Sequence, residues 1–282
     1  MAEKDITEKL LADYNDVFAD IMNVLLFDGE MIINEHNLKN TGDKSVYKAG
    51  SKIHQQERDL IKIWNKRGVY FSILGLEHQT KYDAKMPLRV IGYDGGSYRR
   101  QCLRRYGKRK KCPVITIVLN FSKKRWGKNK ALSDCFEVDE KLKPYFSDYR
   151  INVFDIAYLT DEQVKMFKSD FRIVADYFVQ IRKNKEYVPT KEDIKHVDEI
   201  LKLMSVLTAD NRFEEIQNDG GKVRNMCEVL DRIEARGIQQ GKRQQLIELA
   251  KKGLLSIVDA SVEADMTMAE FEKLMEKASQ TS

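Results

Sequence analysis

The strongest constraint on the fold is a succession of three β-prone segments with one helical segment set between the last two. Arg58-Asp59-Leu60-Ile61-Lys62-Ile63-Trp64 is followed by Asn65-Lys66-Arg67-Gly68, then by Val69-Tyr70-Phe71-Ser72-Ile73-Leu74-Gly75-Leu76-Glu77-His78-Gln79. Two β-prone runs around a short glycine-bearing connection predict a hairpin. A helix is expected from near Pro87 toward Leu103. Pro113 to Leu119 then reads as a buried strand, being rich in β-branched residues. Tyr149 to Ile156 adds a further strand, at an edge. Upstream, Ile6, Leu10, Leu11, Tyr14, Val17, Phe18, Ile21, Met22 and Leu25 recur at helical spacing and predict an amphipathic helix over residues 5 to 27. Asn34 to Gln56 is polar, carries Gly42 and Gly50, and is expected to be loop with little regular structure. Helix, hairpin, helix, strand, strand is the order of an α/β layered core.

After about residue 160 the pattern turns helical. Leu159-Thr160-Asp161-Glu162 offers a capped start, Phe167 to Asn184 continues at helical spacing, and Asp193 to Leu207 should form another helix. Asn218-Asp219-Gly220-Gly221 is the best linker. Beyond it, Lys222 to Lys251 is a charged helical stretch interrupted by Gly237 and Gly241, and a closing pair, Leu246 to Ala264 and Met268 to Lys277, has the outline of a helix-turn-helix or a plain helical hairpin. The expected division is a core over residues 1–160, a helical extension over 161–217 packed on it, and a charged tail over 222–282 that could serve homo-oligomerisation.

A chain of 282 residues can bury one sizeable core or two modest ones. No run approaches the roughly 18 apolar residues of a membrane helix, and Met1-Ala2-Glu3-Lys4-Asp5 lacks the layout of a signal peptide, so the expectation is a soluble cytoplasmic protein with no membrane partner. Cys102, Cys112, Cys135 and Cys227 are too irregularly spaced for a disulfide framework or a zinc site. Carboxylates, lysines and arginines remain as the chemical candidates. The window Arg99 to Lys130 holds thirteen Lys/Arg and no Asp or Glu, whereas the chain as a whole carries a formal charge of only +5. Its members include Arg99, Arg100, Arg104, Arg105, Lys108, Arg109, Lys110 and Lys111 before the buried strand, and Lys123, Lys124 and Arg125 after it. Two such clusters bracketing one strand would make a localised positive face, as a phosphate-backbone binder needs. A solvated surface without a partner is the alternative.

Glu77 and Gln79, two apart in a strand, project from one face. If Lys66-Arg67-Gly68 is a three-residue loop, Asn65 pairs with Val69, Asp59 falls opposite Gly75, and Asp59 lies diagonal to Glu77 at about 7–8 Å. A shared divalent cation could bridge that span, and two hard carboxylate oxygens suit Mg²⁺ or Mn²⁺. Alternatively, both are surface residues paired with Lys62 or Arg58.

Ile73-Leu74-Gly75-Leu76-Glu77-His78-Gln79-Thr80 with Met86-Pro87-Leu88-Arg89-Val90-Ile91-Gly92-Tyr93 resembles the signature of the Rpn-type recombination-promoting nuclease/putative transposase family, of the PD-(D/E)xK superfamily. The resemblance extends through the 113–119 strand, the tryptophan after it, Tyr149 to Leu159 and the glycine-punctuated tail. It implies a restriction-endonuclease-like core, a central mixed sheet flanked by helices, with an α-helical C-terminal extension. Asp59 and Glu77 would hold Mg²⁺, or Mn²⁺. Gln79 stands where the superfamily usually has lysine, a habit of this family, and Lys81 is a candidate stand-in. Arg89 and Tyr93, at i and i+4, would face the site or support the helix as a bonded pair. Asp16 lies where an additional acidic residue is placed in the first helix.

Two readings follow. The first is a metal-dependent DNA endonuclease associated with recombination or mobile elements. The second is a nucleic-acid-binding or oligomeric interaction protein that keeps the fold without useful turnover. An RNA-acting nuclease is a third.

Overall fold

The computed structural model describes residues 11–40, 45–49, 52–56, 60–64, 69–76, 83–103, 111–184, 186–218 and 223–280. Its centre is a five-stranded sheet of β1 (Leu38–Asn40), β4 (Leu60–Trp64), β5 (Val69–Leu76), β6 (Val114–Asn120) and β7 (Asn152–Asp155), in that spatial order. β2 (Ser45–Ala49) and β3 (Lys52–Gln56) form a separate hairpin. β1, β4 and β5 pair antiparallel, whereas β5, β6 and β7 pair parallel. The parallel pairing of β5 with β6 requires a crossover, which α2 (Met86–Gln101) supplies.

Alternation along β6 divides two cores. Ile117 and Leu119 join Val17, Phe18, Ile21 and Met22 of α1 (Asn15–Phe27) in the larger one. Val118 joins Met86, Val90, Tyr93, Trp126 and Ile151 in the smaller one under α2. The larger core continues into α3 (Asp161–Met166), α4 (Phe171–Asn184), α5 (Val197–Thr208), α6 (Arg212–Asn218) and the first turns of α7 (Met226–Lys251). A third cluster, centred on Phe271 and Ile247, holds the end of α7 to α8 (Ile257–Glu263) and α9 (Met268–Gln280). Among the described residues no helix is long and apolar enough to cross a membrane.

The expected strands at 114–120 and 152–155 and the helix from Pro87 are present, and β7 is the expected edge strand. Several expectations are corrected. The 34–56 segment is not plain loop, since it carries β1 and the β2–β3 hairpin. Trp64 pairs with Val69, so the β4–β5 connection spans four residues, 65–68, rather than three, and the Asn65–Val69 register is displaced by one. The first helix breaks at Tyr14, whose backbone is extended (φ −65°, ψ 131°). The Asp13 carbonyl, which a continuous helix would give to Val17, accepts instead from the Lys62 ammonium. A further break separates α3 from α4, because Asp20 Oδ2 accepts the Lys168 and Ser169 amides (2.8 and 2.7 Å). Asp170 likewise takes the Lys195 and His196 amides, and α5 starts at Val197 rather than Asp193. α7 runs unbroken through Gly237 and Gly241.

The end of α1 requires a glycine. Asp28 and Gly29 adopt left-handed backbone (φ 49° and 84°), and a Cβ on Gly29 would lie 3.1 Å from the Met166 sulfur. The Asn23 amide then pairs with both backbone groups of Ile33 (2.9 and 2.8 Å), fixing the chain's approach to β1.

Candidate functional site

Ligands of sheets with parallel strands gather at the carboxyl ends of those strands. Here Leu76 of β5 pairs with Asn120 of β6, and Asn120 pairs with Asp155 of β7, so all three strands end at one edge. Glu77 follows Leu76 directly in the chain. The segment leaving β6 is rigidly tied. Asp155 Oδ1 accepts from Asn120 Nδ2 (2.7 Å) and the Trp126 amide (2.8 Å). Asn120 also donates to the Lys124 carbonyl (3.0 Å), and the Ser122 hydroxyl donates to the same oxygen (2.7 Å) while accepting the Lys124 amide (3.0 Å). With its backbone so committed, this loop presents Lys123, Lys124 and Arg125 to solvent. The Arg125 guanidinium lies over the Tyr158 ring, and so does that of Arg182 from α4.

The basic window is therefore divided. Arg99 and Arg100 close α2, and Lys111 donates to the Gln101 carbonyl. α2 runs back against the parallel strands, its Asp94 accepting from Thr116 (2.6 Å) and its Gln101 joined to Cys112, so these cations stand near the start of β6. Lys123, Lys124 and Arg125 stand past its other end, seven residues or roughly 20 Å away. Among the described residues, the cations before β6 and those after it stand at opposite edges. Arg104, Arg105, Lys108, Arg109 and Lys110 lie outside the described residues, as do Asp59, Glu77, Gln79 and Lys81.

Arg89 and Tyr93 occupy the first half of α2, at the edge where β5 ends. Arg89 Nη1 lies 3.0 Å from Asp83 Oδ2, and the Tyr93 ring is buried in the smaller core. Partial desolvation works against the Arg89 charge, but Tyr93 and Asp83 outweigh it and hold its pKa above the ordinary arginine value. Asp16 faces α5. Its carboxylate pairs with Lys195 Nζ and lies 3.3 Å from His196 Nε2. Desolvation pushes its pKa up, but the Lys195 and His196 bonds prevail and hold it below the usual aspartate range.

Lys62 is wholly buried beneath the start of α1, an uncommon place for lysine. Its ammonium donates to the Asp13 carbonyl, Asn15 Oδ1 (2.8 Å) and Asn40 Oδ1 (2.6 Å), with Asp13 Oδ1 at 3.3 Å. Desolvation lowers its pKa, and Asp13 offsets part of that shift. With its three protons so placed, Lys62 is committed to joining α1 and β1 to β4, which weakens the alternative that it neutralises the Asp59–Glu77 pair. Among the described residues no group of three His, Cys, Asp or Glu side chains could hold a metal ion.

The closing helices have the helix-turn-helix outline but the wrong charge for a phosphate backbone. Ser256 to Gln280 contains six Asp/Glu and two Lys. Two of the carboxylates complete N-terminal caps, Asp259 with Ser256 and Glu270 with Thr267. Sequence reading had no means of finding Tyr158 and Arg182 as partners of Arg125, because they are 33 and 57 residues away in the chain.

A family model described as "Putative transposase, YhgA-like" matches residues 53–211, more than half of the 282-residue chain. No curated protein and no solved structure matches the chain significantly.

Proposed function

The chain belongs to the YhgA-like transposase family, and we propose that it is a metal-dependent DNA endonuclease acting in recombination or mobile-element movement, on a restriction-endonuclease-like core. One observation carries this reading. β5, the strand that leads into Glu77-His78-Gln79, ends at the same edge as the rigid loop presenting Lys123, Lys124 and Arg125. The order α1, antiparallel β1-β4-β5, α2 and parallel β6 is compatible with that core.

Asp59 and Glu77 are the residues that the family resemblance implies would hold Mg²⁺ or Mn²⁺, since carboxylates give the hard oxygen donors these ions take; the displaced β4–β5 register removes the separate argument from a shared strand face. When bound, the ion supplies Lewis-acid polarisation of the phosphodiester and lowers the pKa of a coordinated water. Gln79 contributes a neutral amide donor where a lysine would contribute charge, and Lys81 supplies an ammonium nearby in sequence. Arg89, fixed by Asp83 and Tyr93, and the cations of the 123–125 loop hold the phosphate backbone.

Plasmid cleavage in Mg²⁺, Mn²⁺, Ca²⁺ or EDTA tests the proposal, with Asp59→Ala and Glu77→Ala beside wild type. Cleavage should need Mg²⁺ or Mn²⁺ and fall by about 100-fold or more in either folded variant, the scale on which essential charge-stabilising groups act. DNA binding without cleavage under any metal would replace this reading with that of a binding protein.

A further inference from the structure

Tyr158 lies in the short turn Ile156–Tyr158 that follows β7, and its hydroxyl donates to the Lys123 carbonyl (3.0 Å). The Arg125 guanidinium carbon is 4.6 Å from the ring centroid and that of Arg182 is 4.7 Å. Arg182 Nε donates to the Ala157 carbonyl, which leaves its two terminal nitrogens to point elsewhere. Asp161, whose carboxylate feels Arg182, is already ion-paired with Lys183. Among the described residues neither guanidinium has a carboxylate partner within ion-pair distance.

Two cations held over one ring, 4.6 and 4.7 Å from its centroid, repel each other, and phosphate groups bound beside each of them offset that cost. Contact with the ring, and for Arg182 the bond to Ala157, restrains both side chains in advance, so less side-chain entropy is lost when a phosphate arrives. We propose that Arg125 and Arg182, held on Tyr158, form a two-guanidinium clamp on the phosphate backbone of nucleic acid, at the edge where β5, β6 and β7 end. With its ring occupied by guanidiniums, Tyr158 is a support for the clamp and not a stacking platform for a base. The clamp fixes the position of the strand and carries no base preference. It rests on the reading of this edge as the nucleic-acid side of the protein, and it extends the basic surface to a residue far outside the Arg99–Lys130 window.

The test is the salt dependence of binding by the full chain to a short fluorescent DNA duplex in EDTA, with an RNA duplex of the same sequence to separate the two sources of phosphodiester. Arg125→Ala and Arg182→Ala should each reduce the slope of log affinity against log salt by about 0.9, and the double variant by about 1.8. Arg182→Lys, which keeps the charge but loses the planar fork, should keep the slope and lose affinity severalfold. Lysine also lacks the Nε–H that bonds Ala157, so a folded Arg182→Lys shows that the fold survives loss of that bond. An unchanged slope in folded Arg182→Ala overturns the clamp, as does a wild type that binds neither duplex. Metal-dependent cleavage by wild type together with undiminished binding by Arg182→Ala would sink the clamp and leave the nuclease standing. Weakened binding by that variant with no cleavage by wild type would do the reverse.

Discussion

The two edges of the parallel strands carry similar charge but differ in how it is held. At the start of β6, Arg99 and Arg100 belong to the last turn of a helix, where cations complement the helix dipole, and Lys111 bonds the carbonyl of Gln101. Among the described residues, the cations of that edge have a structural occupation. Past the end of β6, Asn120, Ser122 and Asp155 consume the backbone polar groups of the loop, and the charged side chains are left outward. The described cations of the two clusters thus lie on two surfaces, and only the second stands at the end of β5 that leads to Glu77. The largest expected effect tests that asymmetry. Replacing Lys123, Lys124 and Arg125 together by alanine should lower the salt slope of DNA binding by about 2.7 and affinity at 0.1 M salt by roughly a hundredfold or more. The matching triple at Arg99, Arg100 and Lys111 should change the slope by less than half as much, and equal effects would erase the distinction between the edges.

A second comparison sets exposed cations against buried ones. Lys62 carries the same formal charge as Lys123, yet its protons are distributed over Asp13, Asn15 and Asn40 beneath α1. Lys62→Ala should cost about 3 kcal/mol, because three acceptors lose their donor and a cavity opens in a packed layer. Urea titration checks it, and the salt slope of the folded fraction should not move. The sign of its pH response is also fixed. Burial places the folded pKa below the unfolded value of 10.5, so the unfolded state binds more protons between the two. The part of stability tied to Lys62 therefore rises as pH increases through that window, and Lys62→Met should flatten the rise.

How much of this was legible depends on whether partners are neighbours in sequence. The β5–α2–β6 succession was readable because Val69 to Leu76 and Val114 to Asn120 are β-prone apolar runs and Pro87 marks the helix start. The β2–β3 hairpin was missed although Ala49 pairs with Lys52, leaving only Gly50-Ser51 to connect the strands, which is itself a recognised two-residue turn signal. Its strands are too polar for periodicity to find. Loop length in the β4–β5 hairpin could not be decided from Asn65-Lys66-Arg67-Gly68, because three-residue and four-residue connections both accommodate the glycine. The helix breaks at Tyr14 and before Phe171 depend on side chains reaching in from distant elements, Lys62 in one case and Asp20 in the other. Of the candidate site, Arg125 was found through local charge. Arg182 is an ordinary helix arginine until α4 brings it to Tyr158.

The smallest effect belongs to Asp16, which separates a structural carboxylate from a catalytic one. Its bonds to Lys195 and His196 fasten α1 to the start of α5. Because its folded pKa is held below the unfolded 3.8, its contribution is complete above pH 3.8 and is lost as pH falls through the folded value. Asp16→Asn should cost about 1 kcal/mol at neutral pH, and the difference from wild type should vanish once both carry a neutral group there. Denaturant midpoints from pH 7 down to pH 2 would show the two curves converging. The same variant should keep wild-type metal-dependent cleavage and the wild-type salt slope. If instead cleavage collapsed while stability held, Asp16 would join Asp59 and Glu77 in the metal site, and the fastening of α1 to α5 would lose its role as the reason for that carboxylate.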